Sequence, residues 1–236
     1  MKLGIMQPYF FPYIGYFSLI KHTDEFILFD AVQFIRHGWI ERNRILKPTQ
    51  GWQYVQVPLQ KHSRDTLIND ILINNKIEWG HRLFAQLQHY ANKAPYYGRV
   101  IKLLNDIFSH EYATIVDLNY QSFRVVCEYL GIQTSIRIFS QMNLHIENVQ
   151  APDEWALKIC LALGGVDEYW NPPGGLKFFD RSKYESNQIA LRFQKVNLTE
   201  YDQKRPTFES GLSIIDVMMF NLPEQIGQML DQYELV

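Results

Sequence analysis

Between Asp30 and Arg44 the sequence reads DAVQFIRHGWIERNR. That stretch gathers a carboxylate (Asp30), an amide (Gln33), the guanidinium groups of Arg36, Arg42 and Arg44, the imidazole of His37, the indole of Trp39, and Asn43. The planar fork of arginine matches carboxylate and phosphate oxygens with paired hydrogen bonds, so three arginines in one short segment point to an anionic ligand. A short apolar run, residues 26–29, leads into the segment and reads as a buried strand. Polar groups delivered just past a strand end form a common binding arrangement in α/β proteins. A solvated loop laced with surface ion pairs is the alternative reading.

Other stretches carry related chemistry. The opening residues KLGIM run into QPYFFPYIGYF, a strand followed by a proline-stiffened aromatic loop. There Gln7 and Tyr9 either line a pocket or lie beside a hydrophobic plug. Further on, YWNPPGG follows a short apolar run. Gly174 and Gly175 permit close backbone approach to a ligand, and Asn171 stands just before them; a tight turn explains the glycines equally well. Tyr184, Tyr201 and Gln203 add hydrogen-bonding tips downstream. Asn119 faces either the site or solvent. Asp216 lies in SIIDVMMF, a helix apolar nearly all round, where a carboxylate needs a partner. An ion pair with an arginine of the 30–44 stretch is the expected one, and a wet face of the helix is the alternative.

Several chemistries lack their sequence signatures. There is no GxxxxGK or GxGxxG, no HExxH, no CxxC and no GxSxG, and the seven histidines never fall four apart. No metal site is expected. Cys127 and Cys160 sit within helical patterns and read as small core residues, in keeping with a reducing compartment. Positioning plus acid–base help from Asp30 or Asp216 is therefore the more natural catalysis. The net charge of -2 offers no general field for a polyanion, so nucleic acid is not expected as the main partner. No apolar run is long enough to span a bilayer and no signal-peptide layout opens the chain, so a cytoplasmic protein without membrane insertion is expected.

The elements that must hold these groups follow from periodicity. Strands are expected at residues 2–6, 24–30, 52–59, 67–73, 134–139, 168–170 and 189–196. Helices are expected at 16–21, 78–91, from Pro95, at 116–130 with Gly131 as its stop, and at 152–163, 180–186, 213–220 and 223–233. Alternation of strand and helix in the second half implies parallel pairing through right-handed crossovers. The expected fold is a single α/β domain over residues 1–236. It is Rossmann-like, with a mostly parallel sheet flanked by helices and a small antiparallel strand addition near residues 45–73.

Set end to end, these motifs resemble a known family. Gln7-Pro8-Tyr9, Pro12, Gly15-Tyr16, Asp24, Phe29-Asp30, Val32-Gln33-Phe34, Trp39 and Arg42-Asn43-Arg44 look like the opening signature of the WbqC-like family. Asn171, Gly174-Gly175, Tyr184, Tyr201, Gln203, Phe208, Leu212–Asp216 and Asn221 continue the resemblance. Met6 before Gln7 and Tyr13 after Pro12 depart from the pattern without touching its polar set. The resemblance implies a role in bacterial O-antigen or other surface-polysaccharide synthesis. It implies a transferase acting on a nucleotide-activated amino sugar, with aminoacyl (glycyl) transfer to the sugar amine, and it adds Tyr16 to the candidate ligand contacts. The implied partners are a sugar nucleotide and an aminoacyl donor, with no cofactor. Two alternatives stand beside it: a nucleotidyltransferase-like enzyme, the one reading that calls for magnesium, and a non-catalytic sugar-nucleotide-binding protein. On all three, the strand-end arginines and aromatics are expected to converge with the glycine turn and the 213–220 helix on one cleft.

Overall fold

The computed structural model describes residues 1–146 and 149–236. In chain order it forms β1 (Lys2–Met6), α1 (Ile14–Lys21), β2 (Glu25–Leu28), β3 (Arg42–Leu46), β4 (Trp52–Gln56), α2 (Trp79–Leu87), α3 (Tyr97–Phe108) and α4 (Ile115–Tyr129). There follow β5 (Ser135–Ile138), α5 (Glu154–Leu163), β6 (Glu168–Asn171), α6 (Arg181–Glu185), β7 (Ala190–Val196), α7 (Ile214–Phe220), α8 (Pro223–Leu230) and β8 (Tyr233–Leu235).

The main sheet has the order β5-β2-β1-β6-β7-β8. All its pairs are parallel except β7 with β8. The strand residues are apolar on both faces because helices cover both. Phe26, Leu28 and Trp170 join one apolar cluster with α1, α3, α4 and α7. Leu3, Ile5, Ile27, Tyr169, Leu191 and Phe193 point the other way and pack with Ala156, Leu157 and Ile159 of α5 and Tyr184 of α6. The expected α/β architecture is thus present. β3 and β4 form the separate antiparallel pair.

Some boundaries differ from expectation. Residues 67–73 do not make a strand. Ile68–Asp70 is a single 3-10 turn flanked by isolated bridges from Leu67 to Gln33, Leu72 to Thr114 and Ile73 to Leu59. Its apolar residues belong to a segment threading between neighbours, and Ile68, Ile71 and Ile73 are buried at irregular spacing. At the C-terminal side the helix stops at Leu230, and Tyr233–Leu235 turns back as β8 to pair with β7. β3 begins at Arg42, inside a run whose polarity hid it: Asn43, Ile45 and Leu46 are buried while Arg42 and Arg44 are half-buried.

The loop from Gln7 to Pro12 has no strand neighbour, yet lies largely buried. Its backbone carbonyls therefore need partners from elsewhere. Tyr16 Oη donates to the Gln7 carbonyl at 2.5 Å. Asn119 Nδ2 donates to Pro8 at 2.7 Å and also to Ile40 at 2.9 Å. Asn43 Nδ2 bridges the Phe10 and Phe11 carbonyls, 3.0 Å from each. Ser213 Oγ takes Phe11 again at 2.7 Å, and the Ile214 amide takes Pro12 at 2.9 Å. Phe11 is held at φ +39, a conformation a bulky side chain seldom adopts, at a cost of about 1–3 kcal/mol.

Replacing Asn43 leaves the Phe10 carbonyl without a donor and the Phe11 carbonyl with Ser213 alone. Asn43→Ala is expected to lower stability by about 1–3 kcal/mol. Asn43→Asp, nearly the same shape, is expected to cost more because it sets a carboxylate against both carbonyls. Urea unfolding of the two variants checks the order.

Candidate functional site

Outward from β1, the sheet runs through β2 to β5 on one side and through β6 to β7 on the other. The chain therefore reverses direction between β1 and β6. In an open parallel sheet the loops at that reversal diverge and leave a crevice outside the strands' C-terminal ends, which is where such sheets take their ligands. Here the reversal is flanked by Gln7, just past β1, and by Asn171-Pro172-Pro173-Gly174-Gly175, at and past the end of β6. Gln7 and Tyr9 are half-buried and Gly174 is exposed. Asn171 spans the reversal: its Nδ2 lies 3.6 Å from Met6 Sδ and donates to Tyr169 Oη at 2.7 Å.

The two glycines differ. Pro173–Gly175 is a 3-10 turn, and in its first turn the Gly174 amide has no carbonyl within the turn to donate to. A Cβ on Gly174 meets nothing within 4 Å. A Cβ on Gly175 would stand 2.6 Å from Asn171 Oδ1 and 2.8 Å from the Phe179 ring. Packing requires glycine at 175. No protein contact requires it at 174, where the open side is free for a ligand.

Asp30 follows β2 on the same sheet edge. It is fully buried, and Ser140 donates to both its oxygens, from the amide at 2.9 Å and from Oγ at 2.6 Å. Burial pushes its pKa up, and the Ser140 bonds oppose the shift. Gln33 and Arg36, further along, are exposed. Gln33 Nε2 donates to the Arg64 carbonyl and Arg36 to both the ring and the carbonyl of His62.

Arg42 and Arg44 share one face of β3, and Asn43 points from the other toward the Phe10 and Phe11 carbonyls. Arg42 lies over the Tyr54 ring at 4.0 Å. Arg44 lies 5.3 Å from the Trp39 ring and 5.1 Å from that of Trp52, and it donates to the Gly211 carbonyl. Cation–π contacts of this kind contribute about 0.5–1 kcal/mol each where partly exposed. Among the described residues no hydrogen bond or ion pair joins these arginines to Gln7, Asn171 or Gly174. The sheet edge and the hairpin face thus share no direct polar contact through these side chains.

A third group is internal. Asp216 is fully buried on α7, and its partners are not arginines. Tyr90 Oη donates to it at 2.5 Å, Tyr201 Oη at 2.6 Å and Gln203 Nε2 at 3.3 Å. The expected ion pair is replaced by neutral donors, while Arg44, for its part, donates to the Gly211 carbonyl. Tyr90 Oη in turn accepts from the Leu46 amide at 2.9 Å, so the network ties β3 to α7. Burial raises the Asp216 pKa to about 6 against the pull of its donors. Tyr184 is also interior, stacked on Tyr169 with centroids 5.6 Å apart, and Tyr16 and Asn119 are held against the β1 loop. Cys127 and Cys160 are buried thiols with pKa pushed up to about 12. Among the described residues no group of three or more His, Cys, Asp or Glu gathers as metal ligands, and no helix is long and apolar enough to cross a membrane.

Sequence reasoning missed Ser140, Tyr90, Trp52 and Tyr54 as partners of the residues it chose. The hairpin register was the readable signal: once β3 is recognised, Arg44 falls opposite Tyr54 and Leu46 opposite Trp52.

A mostly parallel sheet covered by helices on both faces, with polar and glycine-bearing loops at its reversal, defines a doubly wound α/β protein. The chain belongs to the WbqC-like protein family, which it matches over residues 7–228. An uncharacterized protein of Mycobacterium tuberculosis, Rv1507c, is similar to it, with 29% identity over 224 residues covering 94% of each chain. No solved structure matches it.

Two predictions come from these contacts. Gly175→Ala is expected to destabilise by about 1–3 kcal/mol through overpacking, whereas Gly174→Ala stays within about 0.5 kcal/mol of the parent; thermal melts distinguish them. The folded protein holds the Asp216 proton more tightly than the unfolded chain, whose pKa is near 3.8. The corresponding stability is fully present below pH 3.8 and is lost as pH rises through about 6, on the order of 3 kcal/mol in all. Asp216→Asn is expected to remove that slope, read by urea unfolding at pH 4 and pH 7.

Proposed function

We propose that this protein is a transferase acting on a nucleotide-activated amino sugar in bacterial surface-polysaccharide synthesis, moving an aminoacyl group onto the sugar amine. The observation that carries the reading is the reversal of strand order between β1 and β6, with Gln7, Asn171 and the open Gly174 amide at its mouth. A diphosphate takes backbone amides of this kind as donors, and a side-chain amide such as that of the half-buried Gln7 suits a sugar hydroxyl, with Asn171 held beside it by Tyr169. Membership of the WbqC-like family agrees with this reading.

In the reaction the amine lone pair attacks the acyl carbonyl, an amide bond forms, the donor's leaving group departs and the amine loses a proton. Asp30 is the carboxylate on this edge and our candidate acceptor for that proton, through Ser140 Oγ, which donates to it at 2.6 Å. Asp216, enclosed by Tyr90, Tyr201 and Gln203, takes a positioning role instead.

Calorimetry against UDP-, GDP- and dTDP-linked sugars tests the reading. Binding of a nucleotide amino sugar is expected, weakened at least tenfold by Gly174→Glu and by Gln7→Ala with the melting temperature unchanged. No binding across the panel, or binding indifferent to Gly174→Glu, overturns it. Magnesium-dependent binding of a nucleoside triphosphate with no affinity for sugar nucleotides selects nucleotidyl transfer in its place.

A further inference from the structure

Arg42 and Arg44 are anomalous as half-buried cations. Neither has a carboxylate within ion-pair distance among the described residues. The Nε–H of each is buried without an acceptor. Each donates from Nη2 only to a backbone carbonyl, His37 for Arg42 and Gly211 for Arg44. Neither Nη1 has an acceptor on the protein among the described residues. Glu41 is the neighbouring acid in sequence; it is buried, accepts from the His37 amide at 2.7 Å and forms no ion pair with Arg42, whose charge acts on it only at longer range against the effect of burial.

The surroundings hold the guanidinium planes in place rather than neutralise them. Tyr54 backs Arg42, and Trp39 and Trp52 flank Arg44. Arg205 adds a third cation at the hairpin turn, where its Nη1 donates to Gly51 at 3.1 Å and its Nη2 to Lys47 at 2.7 Å. Side chains two apart on one strand face lie about 7 Å from each other at their roots, a spacing from which two forked donors converge on adjacent phosphoryl groups. A preorganised guanidinium pair with no carboxylate in ion-pair contact is a receptor for an anion, and its planar donors favour a phosphate bound in bidentate fashion.

From this arrangement we infer that the outer face of the β3–β4 hairpin is a second anion site, separate from the β1/β6 crevice. It takes a diphosphate-bearing ligand through Arg42 and Arg44, with Trp39 and Trp52 as its walls. The inference does not depend on what the crevice binds. It gives the hairpin face a phosphate-bearing ligand of its own, on the strand that Asn43 ties to the Gln7–Pro12 loop.

Inorganic pyrophosphate is the probe. Titrating it into the Gly174→Glu variant, where a carboxylate blocks the crevice, reports the hairpin alone by calorimetry and by tryptophan fluorescence. Binding is expected to persist in Gly174→Glu and to fall at least tenfold in Gly174→Glu carrying Arg42→Gln or Arg44→Gln, with affinity decreasing steeply in added salt. Arg44→Lys keeps the charge without the fork; it guards against a folding defect and is expected to lose most of the affinity. Absence of binding to the parent, binding unchanged by the arginine substitutions, or loss of all binding in Gly174→Glu alone each overturns the inference, the last by showing that the two faces are one site.

Discussion

The structure depends on satisfying the backbone of a buried loop that belongs to no sheet. Residues Gln7 to Pro12 leave the C-terminal end of β1, carry two prolines that offer no amide hydrogen, and put Phe10 and Phe11 into the core. A buried carbonyl without a donor costs about 1–3 kcal/mol, so several in a row would forbid the conformation. The donors come from four distant places: Tyr16 on α1, Asn43 on β3, Asn119 on α4 and Ser213 at the start of α7. Each of those side chains fixes its own element against the loop. The loop therefore sets where β3, α4 and α7 stand, and with them the walls around the sheet's C-terminal edge.

This constraint also decides how much of the molecule was legible beforehand. Strands β1, β2, β5, β6 and β7 and the longer helices announce themselves through runs and stripes of apolar residues, because burial on one or both faces is all their periodicity has to report. β3 did not, since RNR at its start carries inward Asn43 between two outward arginines and mimics a loop. The 67–73 segment misled in the opposite direction, its isoleucines being buried by neighbours on either side of a bend rather than by a pleat.

The candidate site was legible in its residue types and less so in their direction. Asn43, Asn119 and Tyr16 are polar groups in company that suggests a ligand, and in the structure their donors face the protein's own carbonyls. An amide that reads a sugar hydroxyl and one that reads a peptide oxygen are identical in sequence. Asp216 shows the same ambiguity: its need for partners could be stated from the apolar helix around it, but not that tyrosines would meet it. Gly174 and Gly175 look alike on the page, and only the position of the Phe179 ring separates a packing glycine from an open one.

The anchoring of Phe11 has a consequence for how the chain matures on the ribosome. Ser213 closes on a carbonyl 202 residues earlier, and Asn119 on one 111 residues earlier. Contacts of such separation form late, after much loop-closure entropy has been overcome. The first β-α-β unit therefore emerges with its connecting segment unsecured and its aromatic residues exposed until nearly the whole polypeptide has been synthesised. The loop's full set of donors is complete only once the segment around residue 213 has been made.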